Sequence, residues 1–236
     1  PLAYAKEQVK KYNEEYQIQN RMSLEIKVDF AEKIKAANAA NSKSTLFNIG
    51  YFFLQQFYHD PDIGSFFRSA TAGMKNEFDP NLVNRFLTYS RILHPDSKLG
   101  TYQNLDRYYE QPEFDYVHIL RTMDILLEHY EDYISHFYNA SCRIVKRDTS
   151  VCFYDCSNYY FEIESDDDDY ADEVTGETIR GLRKYGPSKE HRPNPIVEMG
   201  LFMDRDGIPL SMCITSGSDN EQTTAVPLEK TTHKNV

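Results

Sequence analysis

The clearest structural signal in the sequence is Ile196-Val-Glu-Met-Gly-Leu-Phe-Met203, followed by Asp204-Arg-Asp-Gly207 and then by Ile208-Pro-Leu-Ser-Met-Cys-Ile-Thr215. Two apolar runs of strand length flank four residues whose Asp and Gly content is typical of a tight turn. Pro209 fits this pattern because it lies at the start of its strand, where its missing N–H is tolerated. The segment therefore predicts an antiparallel β-hairpin.

Two further strands are predicted upstream of the hairpin. Ser150-Val-Cys-Phe-Tyr-Asp155 is apolar on both faces until its last residue, a pattern typical of a central strand buried on both sides. Such a strand would present the Asp155 carboxylate at its end. Residues 159–164 alternate between apolar and charged side chains, which predicts a half-buried strand with Phe161 and Ile163 facing inward.

Helical periodicity dominates the chain up to about residue 145. The longest case is 114–143, where apolar residues recur every three or four positions and are predicted to form one buried face. These residues are Val117, Leu120, Met123, Leu127, Tyr130, Ile134, Phe137 and Tyr138. Shorter helices are predicted in 44–58 and 81–93, the second after Asp79-Pro80, an acidic cap with proline in the first turn.

One more helix is predicted after the hairpin, because Ser218-Asp-Asn-Glu221 has the form of a capping box and should open a helix that ends near Lys230. The predicted fold class is therefore α/β. A helical N-terminal region covers residues 1–145, and three strands and one helix follow in residues 146–236.

The net charge of −11 comes from 37 acidic and 26 basic residues, and such a balance by itself argues against non-specific affinity for a phosphate backbone. Eight of the acids lie in residues 162–173, so the acidity is a local property. This run belongs to a connection, 165–195, that shows no convincing period and whose length is typical of functional or disordered loops.

A basic patch follows the acidic run within the same connection. Its members are Arg180, Arg183, Lys184, Lys189 and Arg192, interleaved with Tyr185 and His191. Basic side chains on a loop can neutralise a phosphate backbone, and a tyrosine ring can stack on a base. The alternative is a solvated loop whose basic side chains pair with the neighbouring acidic run, and the sequence leaves both readings open.

Asp155 has two readings as well. A carboxylate at the end of a buried strand is placed to hold Mg²⁺, which takes few protein carboxylates and keeps its other positions for water and phosphate. The alternative is an aspartate that caps a turn after the strand.

Neither the four cysteines nor the seven histidines form a metal-ligand pattern, and the cysteine usage indicates reduced thiols in a cytosolic protein. No apolar run approaches the roughly 20 residues of a spanning helix, so no membrane contact is predicted.

Four segments carry a resemblance to a known family. They are Phe153-Tyr-Asp-Cys-Ser-Asn-Tyr-Tyr-Phe-Glu162, Leu182-Arg-Lys-Tyr-Gly-Pro-Ser-Lys-Glu-His-Arg-Pro193, Gly200-Leu-Phe-Met-Asp-Arg-Asp-Gly-Ile-Pro-Leu210 and Gly217-Ser-Asp-Asn-Glu221. In order and spacing they resemble the insertion-sequence DDE transposases of the insertion-sequence-four group. In the helical half, Asn84-Arg-Phe-Leu-Thr-Tyr-Ser-Arg-Ile-Leu-His-Pro-Asp-Ser-Lys98 is similar to the segment that precedes the catalytic domain of that group.

The resemblance implies a ribonuclease-H-like core in which two Asp and one Glu hold two Mg²⁺ ions. Enzymes of this family nick transposon ends and join the freed 3′-hydroxyl to target DNA by in-line phosphoryl transfer. Asp155 would be the first of the three carboxylates, and hence a catalytic residue and a metal ligand. The implied partner is double-stranded DNA at transposon ends, in the bacterial cytoplasm. The loop residues expected near the DNA are Arg183, Lys184, Lys189, His191 and Arg192.

The sequence departs from the family downstream of the predicted helix that ends near Lys230. The second Asp and the Glu lie further along in the family and are not present before Val236. We therefore expect a C-terminally truncated transposase that neither cleaves nor joins DNA by itself. The missing strand would pair with the strand that carries Asp155, so an unprotected sheet edge and self-association are also expected.

Two alternative functions remain. The chain would be a non-catalytic regulator that binds transposon ends or the full-length transposase, or an acidic helical interaction protein with an unrelated β segment. The last reading predicts that no function depends on Asp155 or on the basic loop.

Overall fold

A computed structural model of the chain describes residues 47–220 except 76, 174, 190 and 192, together with 4, 6–8, 10–11, 31, 225, 228–229 and 232. The chain divides into two compact units, Pro1–Phe47 and Asn48–Val236. In the first unit, the described residues from Tyr4 to Lys11 are helical, and Lys11 forms an ion pair of 3.5 Å with Glu7 one turn earlier.

The second unit contains helices first and strands afterwards. The helices are α1 (Phe52–His59), α2 (Ile63–Ala70), α3 (Pro80–Leu93), α4 (Lys98–Gln103), a 3₁₀ turn (Leu105–Arg107), α5 (Tyr116–Glu128) and α6 (Tyr130–Ile144). The strands are β1 (Phe153–Tyr160), β2 (Tyr170–Ala171), β3 (Thr178–Ile179), β4 (Ile196–Met203) and β5 (Pro209–Ser216). The predicted α/β class, with helices followed by a small antiparallel sheet, is confirmed at this level.

An aromatic core holds the helices together. Its buried members are Tyr51, Tyr58, Ile63, Phe66, Phe67, Phe86, Tyr89, Leu105, Tyr108 and Ile125. The buried hydroxyl of Tyr58 keeps hydrogen-bond partners, because it accepts from Asn84 Nδ2 (3.0 Å) and donates to the Asn81 carbonyl (3.1 Å). Burial raises the pKa of Tyr58 above its ordinary value and that of Tyr89 to about 12, so these hydroxyls stay neutral.

The predicted start of α3 is confirmed. Asp79 Oδ1 accepts a hydrogen bond from the Asn81 N–H (2.9 Å), and Pro80 occupies the first turn, where its missing N–H costs nothing. The helix predicted over 44–58 is shorter than expected, since α1 begins only at Phe52.

The single helix predicted over 114–143 is wrong, because α5 and α6 are separated at His129, whose backbone leaves the helical region. Its predicted buried face is also wrong in α5. The buried residues there are Ile119, Thr122 and Ile125. Thr122 does not stand out by hydropathy, but its hydroxyl donates to the His118 carbonyl (2.8 Å) and is therefore compatible with burial. The apolar residues that the periodicity selected in α5 lie on an exposed side of the helix.

The main sheet has the strand order β1-β4-β5, with both pairs antiparallel. The predicted hairpin is confirmed as β4 and β5, and its turn contains Gly207 in the left-handed backbone region that favours glycine (φ 78°). The predicted helix after Gly217 lies mostly outside the described residues. Its described members Leu228 and Thr232 are helical and buried, and Thr232 forms a hydroxyl hydrogen bond with Ser211 of β5.

The prediction for the Asp155 strand is wrong in its position and burial. β1 begins at Phe153, continues to Tyr160 and lies at an edge of the sheet, because β4 occupies the central position. Asp155 is its third residue and is exposed, so no buried strand ends there. The strand predicted over 159–164 is also wrong for most of its length. Tyr159 and Tyr160 are the end of β1, and residues 161–164 lie outside the strands. The Phe161 N–H donates to the Pro195 carbonyl (2.9 Å).

A buried ion pair joins the hairpin to the segment after α6. The side chains of Arg147 and Asp204 are 4% and 0% exposed, and Arg147 Nε lies 2.5 Å from Asp204 Oδ2. The same guanidinium donates to the carbonyls of Ile208 and Pro209, both at 3.0 Å. Burial of Asp204 by itself would raise its pKa, but the Arg147 guanidinium and the backbone N–H of Ile208 hold the pKa below its ordinary value. The hairpin turn is thereby fixed to the helical part of this unit.

We expect Asp204→Asn to lower the free energy of unfolding at pH 7 by about 3–5 kcal/mol, because it leaves the Arg147 charge buried without its counter-ion.

The same substitution should change how the free energy of unfolding depends on pH. Since the folded-state pKa of Asp204 is depressed, its stabilisation is complete above the ordinary carboxyl pKa and is lost as the pH falls through the lower folded-state value. Urea unfolding from pH 7 to pH 3 should therefore show a shallower pH dependence for the variant than for the wild-type chain.

Arg205→Ala is the matched control. Arg205 forms an exposed ion pair with Asp148 (3.3 Å) next to the buried pair, so its loss should cost no more than about 1 kcal/mol. Equal losses for Arg205→Ala and Asp204→Asn would contradict the importance of the buried pair.

Candidate functional site

The carboxylate of Asp155 faces a lysine from the long connection. Lys189 Nζ lies 3.4 Å from Asp155 Oδ1, and the same ammonium donates to the backbone carbonyl of Cys156. The Asp155 side chain is 71% exposed, so this pair is open to solvent and accessible to a ligand. The structure thus brings together two of the residues that the sequence selected, Asp155 on the edge strand β1 and Lys189 on the connection that precedes β4.

The backbone of Lys189 contacts the face of β1 opposite to the one that carries Asp155. Its backbone N–H donates to Asn158 Oδ1 (3.1 Å), and Asn158 Nδ2 donates to Glu198 Oε1 (3.3 Å) on the central strand β4. Asp155 and Asn158 are three residues apart on a strand and therefore lie on opposite faces of the sheet. Lys189 consequently contacts both faces of β1, Asp155 through its side chain and Asn158 through its backbone.

Asn158 and Glu198 are functional candidates that the sequence reading missed. Glu198 is buried, although its position in the predicted hairpin strand is otherwise apolar. A charged residue within such a run is the one signal that would have identified it, since buried carboxylates need polar partners. Asn158 offers no comparable signal.

The acidic run and the basic patch contact each other directly. Arg183 Nε donates to Asp167 Oδ1 (2.8 Å), and a second guanidinium nitrogen binds the same carboxylate. The backbones are paired too, because the Arg183 N–H donates to Asp167 Oδ2 (2.9 Å) and the Asp167 N–H to the Arg183 carbonyl (2.8 Å). Hydrogen bonds from Arg183 lower the pKa of Asp167, and the carboxylate raises the pKa of Arg183. Both groups are therefore held in their charged forms.

Lys184 forms the second link. Its ammonium lies 3.0 Å from Asp169 Oδ1 and 3.6 Å from Asp166 Oδ2, and Asp169 also accepts from the Gly181 N–H (3.0 Å). The Gly181 N–H and the Lys184 ammonium lower the pKa of Asp169, and Asp169 raises the pKa of Lys184. The sequence-based alternative of a loop paired with its acidic neighbour is thus what the geometry shows for Arg183 and Lys184.

The remaining predicted loop residues are less engaged or lie outside the described residues. His191 is exposed, has a positive φ of 53°, and donates its N–H to the Ser188 carbonyl (2.9 Å). Arg192 lies outside the part of the chain that the structure describes. Arg180 is 3.7 Å from Asp219, and the Tyr185 hydroxyl donates to the Glu164 carbonyl (2.7 Å).

These residues do not fit a two-metal centre. Among the described residues, no group of three or more His, Cys, Asp or Glu side chains is placed to hold a metal ion. Asp155 contributes one carboxylate, and its neighbour is an ammonium group in place of the further oxygen ligands that Mg²⁺ requires. The described surroundings of Asp155 therefore form a solvent-exposed ion pair and not a metal site.

We expect the double variant Asp167→Asn/Asp169→Asn to accelerate amide hydrogen exchange at Gly181 and Arg183 by about tenfold or more, because both amides donate to the substituted carboxylates. Asp168→Asn is the matched control in the same run, since Asp168 is exposed and lies outside these ion pairs. Exchange rates unchanged in the double variant, or equally raised by the control, would contradict the pairing. Heteronuclear NMR measures both amides individually.

Comparisons of the chain with known proteins found no relative. No protein-family model, no curated protein and no solved structure matches the chain. Within the portion of the chain that the structure describes, no helix has both the length and the hydropathy needed to cross a membrane.

Proposed function

We propose that the chain is part of a DDE transposase and acts in DNA transposition, with Asp155 as the first catalytic carboxylate. The observation that carries the proposal is the position of Asp155 on β1, at the edge of a three-stranded antiparallel sheet. This is the strand arrangement that the resemblance implies for the beginning of a ribonuclease-H-like core. Two of the four sequence motifs, 153–162 and 200–210, include residues of the paired strands of this sheet.

The single-sided pairing of β1 supports the same assignment. β1 has β4 as its neighbour on one side, and its other side is an edge in the described sheet. In the implied core, the strand that carries the second Asp pairs with this edge. Asp155 is exposed on β1, where a second carboxylate from such a strand can approach it. In the implied core, Asp155 would be one of three carboxylates that hold Mg²⁺, and the metal would lower the pKa of a bound water.

The loop beside Asp155 is proposed as the DNA contact. Arg183, Lys184 and Lys189 lie on one connection, and the ion pairs that Arg183 and Lys184 form are with carboxylates, the protein groups most like a phosphate in charge and geometry. Lys189 places a cation directly beside Asp155. DNA phosphates would bind this loop by replacing Asp167 and Asp169, so that the acidic run competes with DNA.

The ion pairs also favour a second candidate function, that of a non-catalytic regulator. Binding of DNA phosphates by Arg183 and Lys184 in place of their carboxylate partners requires no catalytic carboxylate. A chain of this kind would occupy transposon ends or pair with the intact enzyme without cutting DNA.

We expect Asp166→Asn/Asp167→Asn/Asp169→Asn to bind a 30-base-pair duplex of arbitrary sequence about tenfold more tightly than the wild-type chain, because it frees Arg183 and Lys184 for phosphates. Since each phosphate contact contributes about 0.9 to the salt slope, the dependence of log affinity on log salt should steepen by roughly 1–2. Fluorescence anisotropy over a salt series measures both quantities.

The matched control neutralises three exposed acids on the helical region and changes the net charge equally: Asp60→Asn, Asp106→Asn and Glu131→Gln. An equal gain for this control would show that net charge alone controls binding. No binding by either variant would contradict the proposed DNA contact.

We further expect that the chain of residues 1–236 does not nick or join DNA, because one carboxylate cannot form the two-metal arrangement. The measurement is a nicking assay on supercoiled plasmid and on terminal-repeat duplexes with Mg²⁺. Nicking that is abolished by Asp155→Ala would contradict this expectation.

A further inference from the structure

A stripe of exposed apolar side chains runs along α5. Val117, Leu120, Met123 and Leu127 are 43%, 43%, 42% and 77% exposed. They recur at three or four residues and therefore share one side of the helix over about 15 Å, at 1.5 Å per residue. A surface helix normally has one apolar face, and α5 has this stripe in addition to its buried face.

Charged residues occupy the Val117 side of the stripe, its charged flank. Arg121, Asp124 and Glu128 are exposed. At about 100° per residue, Arg121 and Glu128 project just beyond Val117. Asp124 projects between Val117 and Leu120. The opposite flank of the stripe continues into the side that carries the buried Ile119. A partner that docks on the stripe therefore meets charges along one flank only, and these charges have both signs.

We propose that α5 is a self-association surface whose partner is α5 of a second copy of this chain, packed antiparallel about a two-fold axis near residues 122 and 123. In an antiparallel pair, the charged flank of one helix faces the same flank of the other. With the axis at that point, Arg121 of each copy lies opposite Asp124 of the other, and two reciprocal ion pairs form.

The same register also matches the apolar residues. Val117 of one copy lies beside Leu127 of the other, and Leu120 and Met123 lie next to the axis. A parallel pair would instead direct the charged flank toward the side that is buried in the partner's own core. Self-complementary charge thus selects a second copy and the antiparallel direction.

The dimer is expected to be weak. Stable interfaces bury about 800 Å² on each partner, and a single helix stripe of four side chains is smaller than that. Association therefore has to be measured over a concentration series. The proposal depends neither on transposase chemistry nor on the β1 edge.

The first experiment is sedimentation equilibrium of the chain from about 1 to 100 µM. The wild-type chain should show a reversible monomer–dimer equilibrium, and Leu120→Glu/Leu127→Glu should be monomeric throughout, with an unchanged circular dichroism spectrum. Ile92→Glu is the matched control, since Ile92 is an exposed apolar residue (59%) on α3. This control should retain the dimer.

The second experiment tests the direction of packing by charge reversal. Arg121→Asp and Asp124→Arg should each weaken the dimer several-fold, and the double variant Arg121→Asp/Asp124→Arg should restore it, because each reversed charge again meets its opposite. Non-specific apolar association would show no restoration.

Disulfide formation gives an independent geometric readout. In a Cys142→Ser/Cys152→Ser background, which removes the exposed thiols, Met123→Cys should form an intermolecular disulfide on oxidation. Val117→Cys should not, because the two copies of residue 117 would lie about 17 Å apart along the axis, beyond disulfide reach.

Three results would overturn the proposal. They are a wild-type chain that stays monomeric at 100 µM, a dimer that survives Leu120→Glu/Leu127→Glu, and a dimer that is lost with Ser157→Lys on the β1 edge but retained with the α5 variants. The last result would locate association at the edge strand.

Discussion

The sheet of this protein depends on one buried ion pair, between Arg147 and Asp204. Two charges without water are costly unless their geometry is good and their remaining groups are hydrogen-bonded. Here, the guanidinium contacts the Asp204 carboxylate and two backbone carbonyls, and the carboxylate also accepts from the N–H groups of Asp206 (3.0 Å) and Ile208 (2.8 Å). The pair therefore fixes the turn of the hairpin to the segment that follows α6, and β4 and β5 extend from that turn.

The candidate site follows from this anchor by strand pairing. β4 is the central strand, and its register places Asp155 opposite Leu201 on the edge strand β1. The connection between β1 and β4 then returns Lys189 to Asp155 and pairs its basic side chains with its own acidic run. This connection, which carries both charge signs, contains only the short β2–β3 pair as regular secondary structure among its described residues, and Lys189 is its cation that lies beside Asp155.

Local patterns in the sequence predicted the local parts of this structure. The β4–β5 hairpin and the Asp79-Pro80 start of α3 depend on neighbouring residues, and both were predicted correctly. The burial of α5 was not, because the helix is apolar on more than one side and Thr122, a buried position, does not stand out by hydropathy. The edge position of β1 depends on which strand becomes central, and an isolated apolar run does not contain that information.

The sequence also did not predict the ion pairs between distant residues, because these pairs have no local pattern. Arg147 and Asp204 are 57 residues apart and have no local signal, and the Lys189–Asp155 pair joins residues 34 apart. For the acidic and basic runs, both readings were compatible with the sequence, and the contacts of Arg183 with Asp167 and of Lys184 with Asp169 show that the runs pair. The resemblance to DDE transposases adds function to this framework and stays a proposal.

The central claim is that the loop beside Asp155 is the DNA contact, and photo-crosslinking tests it most directly. A photoreactive phenylalanine analogue at Tyr185, which is 48% exposed on that loop, should crosslink to duplex DNA. The same analogue at Phe57, which is 76% exposed on α1, should not. Crosslinking from position 57 without crosslinking from position 185 would contradict the account.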